Sequence, residues 1–545
     1  MEAHMSPRRR HVRDPLSIGW NDETIAHALD VSMRSHSERV AVVDGPVRLT
    51  YGRLHDHMTQ VAGSLPATGV RPGSTMIIQL SNRWEFLVLL LACLRTGVLP
   101  ALMLPAYRHH ELVQVARHID AAAVAVSADA HDYDLPGLVR GVVSVCPSIR
   151  TVLCVGGTPG AGATRLEDLM ADRRGEPTAS AHQTILASRD ALLLMSSGTT
   201  GAPKLIARTH RDYLYGIRAS SSACGFSADT VYLAALPSVH TFALGCPGIL
   251  GALLAGGRVV LVPSPRPAMV FDAIAREHVT VTSAVPAVAA RWLGAYDRTR
   301  HDLSSLEILQ IGGARPSSRL TAELGSALGC RLQQVYGMSE GLLNCTRPGD
   351  DPEVVLHTQG RPVGRADEIE VVDESGARVP PGARGELITR GPGIFRGYYG
   401  ARSHDRDAFT QEGWFRTGDL VRLLPSGNLV VEGRIKDTIN RGGEKVSAEE
   451  LEGLLHDVPS VEHVAIVAGP HGELGEQICV CAVPRDGHSP TLTELRASLT
   501  SLGVARFKLP EQLFLLDRLP LTSMGKVNKA ALRALAAERL RHEGT

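Results

Sequence analysis

Short apolar runs rich in β-branched residues alternate with helix-like segments over most of this chain. Clear cases are residues 75–80, 122–126, 259–262 and 279–284, each followed by a helical or turn pattern. Such alternation indicates parallel strands whose connecting helices cover the faces of a sheet. At 545 residues, the chain also exceeds what one hydrophobic core supports. We therefore predict an α/β fold built from layered, mostly parallel sheets and divided into more than one domain.

The pattern changes twice toward the C-terminus. Between about residues 368 and 433, short strands alternate with glycine and proline turns, which indicates a β-rich subdomain. The remaining residues, roughly 110, mix helix-like and strand-like segments and have the usual size of an α+β domain. We predict a disordered leader at 1–25, a large N-terminal domain at 26–433, and a small mobile C-terminal domain at 434–545.

Charge and apolar patterning exclude several classes of protein. Lysine plus arginine numbers 57, as does aspartate plus glutamate, so nothing favours a nucleic-acid partner or a charged membrane surface. The longest apolar run, at 86–94, is too short to span a bilayer and predicts a buried helix. The N-terminus lacks a secretory signal, and the nine cysteines form no C-x-x-C pair, so we expect a reduced, cytoplasmic protein. We expect Cys479 and Cys481 to be core residues on opposite faces of a strand.

A loop rich in glycine and hydroxyl groups follows the strand-like run at 191–195. Residues 196–204 read Ser-Ser-Gly-Thr-Thr-Gly-Ala-Pro-Lys. Glycines let backbone amides approach anionic oxygens, hydroxyls add donors, and the lysine adds positive charge. The spacing differs from that of a Walker A loop, in which the lysine follows glycine directly. The alternative is an ordinary surface loop; we predict a phosphate-binding loop.

Four further motifs follow this loop in order. They are Tyr-Gly-Met-Ser-Glu at 336–340, Trp-Phe-Arg-Thr-Gly-Asp at 414–419, Gly-Arg-Ile-Lys-Asp at 433–437 and Pro-Leu-Thr-Ser-Met-Gly-Lys at 520–526. Together the five motifs resemble the adenylate-forming superfamily, which contains acyl-CoA synthetases, luciferases and the adenylation domains of peptide synthetases. The resemblance implies ATP and Mg²⁺ as cofactors. It also implies a reaction that joins a carboxylic acid to AMP, releases pyrophosphate and then transfers the acyl group to a thiol.

The resemblance also implies roles for individual residues. Lys526 would bridge the carboxylate and the α-phosphate, stabilising charge in the transition state. Glu340 would bind Mg²⁺, and Asp419 would accept hydrogen bonds from the ribose with Arg434 beside it. The residues expected at the ATP site are Ser196, Ser197, Gly198, Thr199, Thr200, Gly201, Lys204, Gly312, Gly313, Ala314, Tyr336, Gly337, Met338, Ser339, Asp419 and Arg434.

Two more positions would serve the transfer to a thiol. The resemblance makes Lys436 the hinge about which the small domain rotates between the two half-reactions. The alternative is that residues 433–437 are an ordinary linker. Gly442 and Gly443 would let a pantetheine arm pass close to the backbone, or they form only a turn.

The segment at 236–248 is expected to shape the acid pocket. With residues 333–347, it resembles the aryl-acid branch, which activates 2,3-dihydroxybenzoate or salicylate. The pocket residues implied are His240, Thr241, Phe242, Cys246, Ser339 and Leu343. His240 joins Lys526 and Glu340 as a catalytic residue.

The acid itself is constrained by departures from the family patterns. Members that activate amino acids carry an aspartate at the position of Thr241, and a threonine cannot pair with a buried ammonium group. The dihydroxybenzoate pattern has asparagine, serine and valine where Thr241, Cys246 and Leu343 stand. We therefore favour another substituted aryl or heteroaryl acid, such as a hydroxyanthranilate or hydroxypicolinate, with salicylate-type acids next.

Three questions stay open at this point. The thiol acceptor is either coenzyme A or the phosphopantetheine of a separate carrier protein, in secondary-metabolite or siderophore biosynthesis. One alternative function is a ligase for aliphatic or fatty acids, which the segment around His240 argues against. The other is a degenerate nucleotide-binding scaffold, which would predict damage at Lys526, Glu340 or Asp419.

Overall fold

The computed structural model describes residues 22–128, 135–157, 162–171, 185–195, 204–400, 408–441, 444–471, 474–502, 504, 506–522 and 525–543. The helices are α1 (Ile25–Ser35), α2 (Tyr51–Ser64), α3 (Trp84–Thr96), α4 (His109–His118), α5 (Leu135–Val145), α6 (Leu166–Ala171), α7 (His210–Cys224), α8 (Thr241–Gly245), α9 (Gly248–Leu254), α10 (Pro267–Glu277), α11 (Pro286–Ala295), α12 (Ser318–Leu328), α13 (Pro352–His357), α14 (Ala448–Leu455), α15 (Leu492–Ser501) and α16 (Lys529–Glu543).

The strands are β1 (Val40–Asp44), β2 (Val47–Thr50), β3 (Thr75–Gln79), β4 (Leu99–Leu102), β5 (Ala123–Ser127), β6 (Thr151–Val155), β7 (Ala163–Arg165), β8 (Asp190–Met195), β9 (Leu205–Thr209), β10 (Val231–Ala234), β11 (Arg258–Leu261), β12 (Val281–Ala284), β13 (Ile308–Gly312), β14 (Arg331–Gly337), β15 (Leu343–Cys345), β16 (Arg361–Pro362), β17 (Glu368–Val372), β18 (Arg384–Arg390), β19 (Phe415–Leu423), β20 (Leu429–Arg434), β21 (Thr438–Arg441), β22 (Glu444–Ser447), β23 (Val461–His471), β24 (Gly475–Pro484) and β25 (Gln512–Leu515).

Two large sheets dominate the N-terminal part of the described chain. The first has the order β16-β15-β14-β13-β12-β10-β11-β1-β2, and its strands from β14 to β1 run parallel. The second has the order β7-β6-β5-β3-β4-β8-β9, in which only the β8–β9 pair is antiparallel. The predicted α/β fold of mostly parallel sheets is confirmed.

The two large sheets share a layer of helices. One apolar cluster joins Ala41 and Val42 of β1 with Met76 and Ile78 of β3, and it includes residues of α1, α2, α3 and α9. The apolar run predicted as a buried helix is the middle of α3, and its residues are almost fully shielded from solvent. This shared core fixes the two sheets relative to each other, and therefore fixes the edge at which their strands end.

Two smaller sheets follow. The strands β17-β18-β19-β20 form an antiparallel sheet over the region predicted to be β-rich. A second sheet of order β22-β21-β24-β23, with β25 beside β24, is covered by the last three helices. Between the two sheets lies a single 3₁₀ turn, Ile435–Asp437. The domain limits proposed from the sequence stay predictions.

Two expectations need correction. Thr24 caps α1 by accepting a hydrogen bond from the His27 amide, so the leader predicted to reach residue 25 overlaps the folded chain; residues 1–21 lie outside the described residues. Cys479 and Cys481 are both buried as expected, but they lie in one apolar cluster on the same face of β24. The opposite-face prediction is wrong because residues two apart on a strand point the same way.

Candidate active site

The parallel strands of the first sheet end together at one edge. Loops leaving β10, β12, β13 and β14 carry, respectively, His240, Val285, Gly313 and Glu340. In open α/β sheets, ligands bind in the crevice beyond the carboxyl ends of the strands. The fold thus gathers three of the predicted site residues at the place where such a sheet takes its ligand.

A hydrogen-bonded group centres on Asp419. This carboxylate is almost fully buried; Arg434 Nε lies 2.8 Å from Oδ1, and the Tyr336 hydroxyl donates to Oδ2 at 2.6 Å. Asp419 and Arg434 face each other across β19 and β20, so strand register sets their contact. The nearby carboxylate raises the pKa of Arg434, and burial raises the pKa of Tyr336. Three residues predicted for the ATP site therefore form one fixed unit.

A cavity of about 280 Å³ opens beside this unit. Its lining is mostly polar or aromatic: Lys204, Met338, Glu340, Tyr398, Ala408, Phe415, Arg416, Thr417 and Arg434. The Tyr398 hydroxyl donates to Glu340 Oε1 at 3.1 Å, and Lys204 Nζ lies 4.9 Å from the centre of the Tyr398 ring. Burial raises the pKa of Glu340, while hydrogen bonds from its own backbone amide and from Tyr398 act in the opposite direction.

Tyr398 was not predicted from the sequence. Tyr398 follows a segment that contains three glycines between residues 391 and 397. Its ring packs edge-on against Phe395, which belongs to an aromatic group with Phe409 and Phe415. The signal that could have found it is the Gly-Tyr-Tyr-Gly run itself. Without tertiary contacts, however, that run does not say which tyrosine reaches Glu340.

The phosphate loop joins β8 to β9. Met195 and Leu205 are paired across this antiparallel hairpin, so the loop begins and ends at fixed points. Residues Ser196, Ser197, Gly198, Thr199, Thr200 and Gly201 lie outside the described residues. Lys204 is described, is exposed, and points into the cavity beside Tyr398. The role of the loop in binding phosphates stays a prediction.

Lys526 reaches the same edge of the sheet from the C-terminal part of the chain. Its Cε lies 3.7 Å from the position that a Cβ on Gly313 would occupy. Burial lowers the pKa of Lys526, Arg434 lowers it further, and Asp419 acts in the opposite direction. The bridge between Leu521 and Val527 closes the loop that carries the lysine. The predicted catalytic lysine therefore lies next to the Asp419 group.

His240 is placed by the start of α8. Its Nδ1 accepts a hydrogen bond from the Phe242 amide at 3.2 Å, which caps the helix and orients the ring. Burial lowers the pKa of His240 to about 4, and Lys526 contributes to the same shift. His240 is therefore a neutral imidazole at physiological pH and faces the lysine.

Asn82, which was not predicted, holds the loop before His240. Its Nδ2 donates to the carbonyl oxygens of Ala234, Leu236 and Val262 at 2.9–3.1 Å, and its Oδ1 accepts from the Ser238 amide at 2.7 Å. A buried amide that satisfies four backbone groups fixes the chain around it. In the sequence, Asn82 is one of three consecutive polar residues, Ser81-Asn82-Arg83, before α3 and looks like part of an ordinary turn, so only the fold identifies this role.

The predicted acid-pocket residues form two neighbouring groups. Phe242, Cys246 and Leu343 are buried in one apolar cluster with Leu236 and Ala243. The second group, which lines a small cavity of about 10 Å³, contains His240, Thr241 and Ser339. Thr241 Oγ1 connects the groups, since Cys246 Sγ lies 3.8 Å away. This arrangement presents an apolar wall with few polar groups, which suits a flat ring.

Glycines keep this wall close to the strand ends. A Cβ on Gly312 would lie 2.6 Å from the Val335 carbonyl oxygen and 3.0 Å from Phe242 Cζ. A Cβ on Gly337 would lie 2.4 Å from Leu343 Cδ2. Both glycines were predicted for the ATP site; their contacts here are with residues predicted for the acid pocket. Ala314 follows in the exposed bend after β13.

Two residues of the β9–α7 region support the pocket and were not predicted. The Tyr213 hydroxyl lies 3.4 Å from Thr241 Oγ1, and burial raises the pKa of Tyr213. Arg208 is buried, pairs with Asp212 at 2.7 Å, and donates to the Ser339 carbonyl oxygen at 2.8 Å. Thr209 and Asp212 form a capping box that starts α7 and so positions both side chains.

The remaining predicted positions lie toward the C-terminus. The backbone of Lys436 is in the 3₁₀ turn between β20 and β21. Gly442 and Gly443 lie outside the described residues. Neither the hinge nor the thiol channel is tested by this geometry, and both stay predictions.

Together, the sheet edge, the Asp419 group and the lysine from the small C-terminal unit define an adenylate-forming enzyme. Residues 29–399 match the AMP-binding enzyme family, and residues 450–526 match the AMP-binding enzyme C-terminal domain. The chain belongs to the AMP-binding enzyme family and is an adenylate-forming ligase, as its motifs predicted. In the described ranges, every helix is too short or too polar to cross a bilayer.

Known proteins of similar sequence span almost the whole chain. A salicylyl-CoA synthase / salicylate adenylyltransferase from a Streptomyces species is 49% identical over 94% of this chain and 94% of its own length. The 2-hydroxy-7-methoxy-5-methyl-1-naphthoate–CoA ligase of Streptomyces carzinostaticus is 46% identical over 95% and 94%. The solved apo structure of Mycobacterium smegmatis MbtA is 41% identical, with a TM-score of 0.73 over 95% of this chain and 96% of that chain.

Proposed function

We propose that this enzyme activates a substituted aryl or heteroaryl carboxylic acid. The carboxylate attacks the α-phosphate of ATP and pyrophosphate leaves. A thiol then attacks the carbonyl carbon of the acyl-AMP, forming a thioester and releasing AMP and the thiol proton. The observation that carries the proposal is the position of Lys526. This half-buried cation lies near both the Asp419–Arg434 group and the His240 loop, where the acid and the α-phosphate would meet. A positive charge held there stabilises the charge of the transition state.

Separate residues of the site are proposed to bind the ribose, the phosphates and the acid. Asp419, held by Tyr336 and Arg434, is ready to accept hydrogen bonds from ribose hydroxyls. Lys204 brings positive charge to the cavity from the end of the phosphate loop. His240 is neutral, so it orients the acid without adding a second cation beside Lys526.

Glu340 is the proposed Mg²⁺ ligand. No group of three or more His, Cys, Asp or Glu residues in the described ranges could hold a metal ion. A single carboxylate at the cavity wall nevertheless fits Mg²⁺, which is commonly held by one or two carboxylates together with substrate phosphates. Bound there, Mg²⁺ would neutralise the negative charge of the phosphates and orient them for transfer.

The identity of the acid is the finer part of the proposal. The salicylate and naphthoate ligases among the relatives support an aromatic acid, as does the apolar cluster of Phe242, Cys246 and Leu343. Thr241 is uncharged and therefore disfavours an amino acid. We favour a substituted aryl or heteroaryl acid over simple dihydroxybenzoate because Thr241, Cys246 and Leu343 differ from the dihydroxybenzoate pattern.

ATP–pyrophosphate exchange across a panel of acids tests this function. The panel contains salicylate, dihydroxybenzoate, hydroxyanthranilate, hydroxypicolinate, naphthoates, medium-chain fatty acids and aromatic amino acids. We expect exchange with aromatic acids that carry a ring substituent. Exchange only with fatty acids would contradict the proposal, and exchange with no acid would favour a nucleotide-binding scaffold.

The thiol acceptor is identified in a second assay. The best acid and ATP are incubated with coenzyme A, or with an aryl carrier protein bearing phosphopantetheine, and the thioester is detected by mass. We propose that the turn containing Lys436 is the hinge for this second step. An adenylate that accumulates with both acceptors would show that the thiol step was assigned incorrectly.

A further inference from the structure

The small C-terminal unit, residues 434–543 of the described chain, meets the large unit along β20. The Ser447 hydroxyl donates to the Glu432 carbonyl oxygen at 2.8 Å and also caps α14 by accepting from the Glu450 amide. A second contact brings Arg319 Nε of α12 to 3.7 Å from Asp457 Oδ1. The first turn of α14 is therefore held directly against the strand that leads into the 3₁₀ turn.

Glu449 lies in that first turn and faces the large unit. Its Oε2 is 3.1 Å, and its Cβ 3.4 Å, from the position that a Cβ on Gly433 would occupy. Gly433 has φ +129°, and its missing side chain leaves the room that the carboxyl group fills. In this arrangement, which we call seated, the half-buried carboxyl group of Glu449 packs against the backbone of β20 in the large unit.

Four charged groups face Glu449. Glu452 of the same helix and Asp419 of β19 repel its negative charge, whereas Lys529 of α16 and Arg315 of the loop before α12 attract it. Among the described residues, the carboxyl group of Glu449 has no hydrogen-bond or ion-pair partner, since its neighbours Glu450 and Glu452 hold the lysines Lys508 and Lys529.

The nearby cations are engaged by other groups. Lys529 Nζ lies 2.8 Å from Glu452 Oε1, and Arg315 Nη1 donates to the Val431 carbonyl oxygen at 2.8 Å. Asp419 is neutralised by Arg434. A carboxylate enclosed in this way loses its hydration without gaining a partner, which is costly. Burial, aided by Glu452, raises the pKa of Glu449 to about 7.

We propose that Glu449 is a positioning residue that takes up a proton when the small unit seats on the large unit, so that pH controls how firmly Lys526 is held at the site. The proposal rests on the adenylation function only through the role of Lys526. The seating itself requires no substrate, so it is measured independently of the reaction.

The direction of the pH effect follows from the difference in the pKa of Glu449 between the seated and the released state. In the seated state the group keeps its proton up to about pH 7, whereas in water a glutamate titrates near its ordinary value of about 4.3. Because the seated state binds the proton more tightly, low pH favours seating. The seating equilibrium therefore weakens as pH rises between about 5 and 7, by at most about tenfold per pH unit, and is constant above that window.

Energy transfer between two dyes measures seating in the full-length protein. The nine native cysteines are buried, so exposed cysteines introduced by Arg300→Cys and Asp486→Cys take up the dyes selectively. In the labelled parent, we expect the ratio of seated to released molecules to fall about tenfold between pH 5.5 and 7. In Glu449→Gln this ratio should not change with pH, and seating at pH 7.5 should exceed that of the parent.

Two control variants test whether the pH dependence of seating belongs to the carboxyl group of Glu449. Glu450→Gln alters the neighbouring glutamate, which is exposed and paired with Lys508 at 2.7 Å; it should keep the parent's pH dependence. Glu449→Asp keeps a titrating carboxyl group and should keep a pH-dependent ratio. Tryptophan fluorescence at each pH verifies that the labelled proteins stay folded.

The proposal is overturned if Glu449→Gln shows the same change with pH as the parent, or if seating in the parent is constant between pH 5 and 7. Either result would leave pyrophosphate exchange, and with it the proposed function, unaffected. Conversely, a protein that seats as expected but exchanges no pyrophosphate would contradict the function and not the role of Glu449.

Discussion

Lys526 is a cation that its surroundings disfavour. Burial and the neighbouring Arg434 both lower its pKa, and the nearest compensating charge, Asp419, is already paired with that arginine. In such a site an anion interacts with the lysine more strongly than it would in water, because the effective dielectric constant is low. We therefore expect Lys526 to interact with negative charge that develops during the reaction rather than with charge supplied by the protein.

Lys526→Ala should reduce the rate of adenylate formation by roughly 10²–10³-fold, the usual cost of removing one donor to transition-state charge. The affinity for ATP should change little, because the Asp419 group and Lys204 remain. Pyrophosphate exchange gives the rate, and equilibrium dialysis gives the affinity. Lys508→Ala, which removes a lysine paired with Glu450 of α14, is the matched control. Near-normal exchange in Lys526→Ala would remove this residue from the mechanism.

His240 should not titrate in the working range of the enzyme. Its pKa is lowered to about 4 by burial and by Lys526, so protonation becomes significant only below about pH 5. We expect the pH profile of pyrophosphate exchange to show no acidic limb near 6.5 that depends on this residue. Profiles of the parent and of His240→Gln are compared between pH 5.5 and 9. A limb near 6.5 that vanishes in the variant would mean that His240 is exposed and acts as a base.

At the scale of elements, the end of β13 lies against Phe242, one of the residues predicted for the acid pocket. A Cβ on Gly312 would lie 2.6 Å from a backbone oxygen of β14, which cannot move without disturbing the sheet, and 3.0 Å from the Phe242 ring. Gly312→Ala should therefore push the ring into the pocket and raise the KM for the acid at least tenfold. The KM for ATP should rise less.

The control for Gly312→Ala is a glycine whose replacement by alanine meets no neighbouring atom. Gly294→Ala meets this condition, because a Cβ there would have open space around it. Gly329 does not serve, because its φ of +70° would strain any other residue. Steady-state pyrophosphate exchange gives both KM values. Equal effects on the acid and on ATP would mean that Gly312 serves the nucleotide, as the family resemblance implies.

Elements with strong local signals were predictable, and contacts between elements were not. The run at 75–80 predicted β3 to within one residue because β-branched residues fill a strand buried on both faces. The Asp419 contacts with Tyr336 and Arg434, by contrast, depend on strand register and on residues 83 positions apart. Asn82 and Tyr398 carry no distinguishing pattern, because each acquires its role only when distant strands bring partners to it.

At the scale of the whole molecule, the residues of the candidate active site come from two units that contact each other. The large unit supplies the Asp419 group and the acid pocket, while Lys526 comes from a loop of the small unit. A ligand that contacts both units must therefore stabilise the seated arrangement, since it binds that state better than the released one.

A non-hydrolysable acyl-adenylate analogue of the best acid should make this coupling visible by hydrogen exchange. In the parent, we expect slower exchange not only in β14 and β19 and in the loop at 520–528, which carries Lys526, but also in α14, which the ligand does not cover. In Lys526→Ala, protection should persist in β14 and β19 and be lost in α14, because the contact that transmits binding to the small unit is gone. Protection of α14 that is equal in the two proteins would show that other interface contacts seat the small unit, and that Lys526 serves the chemistry alone.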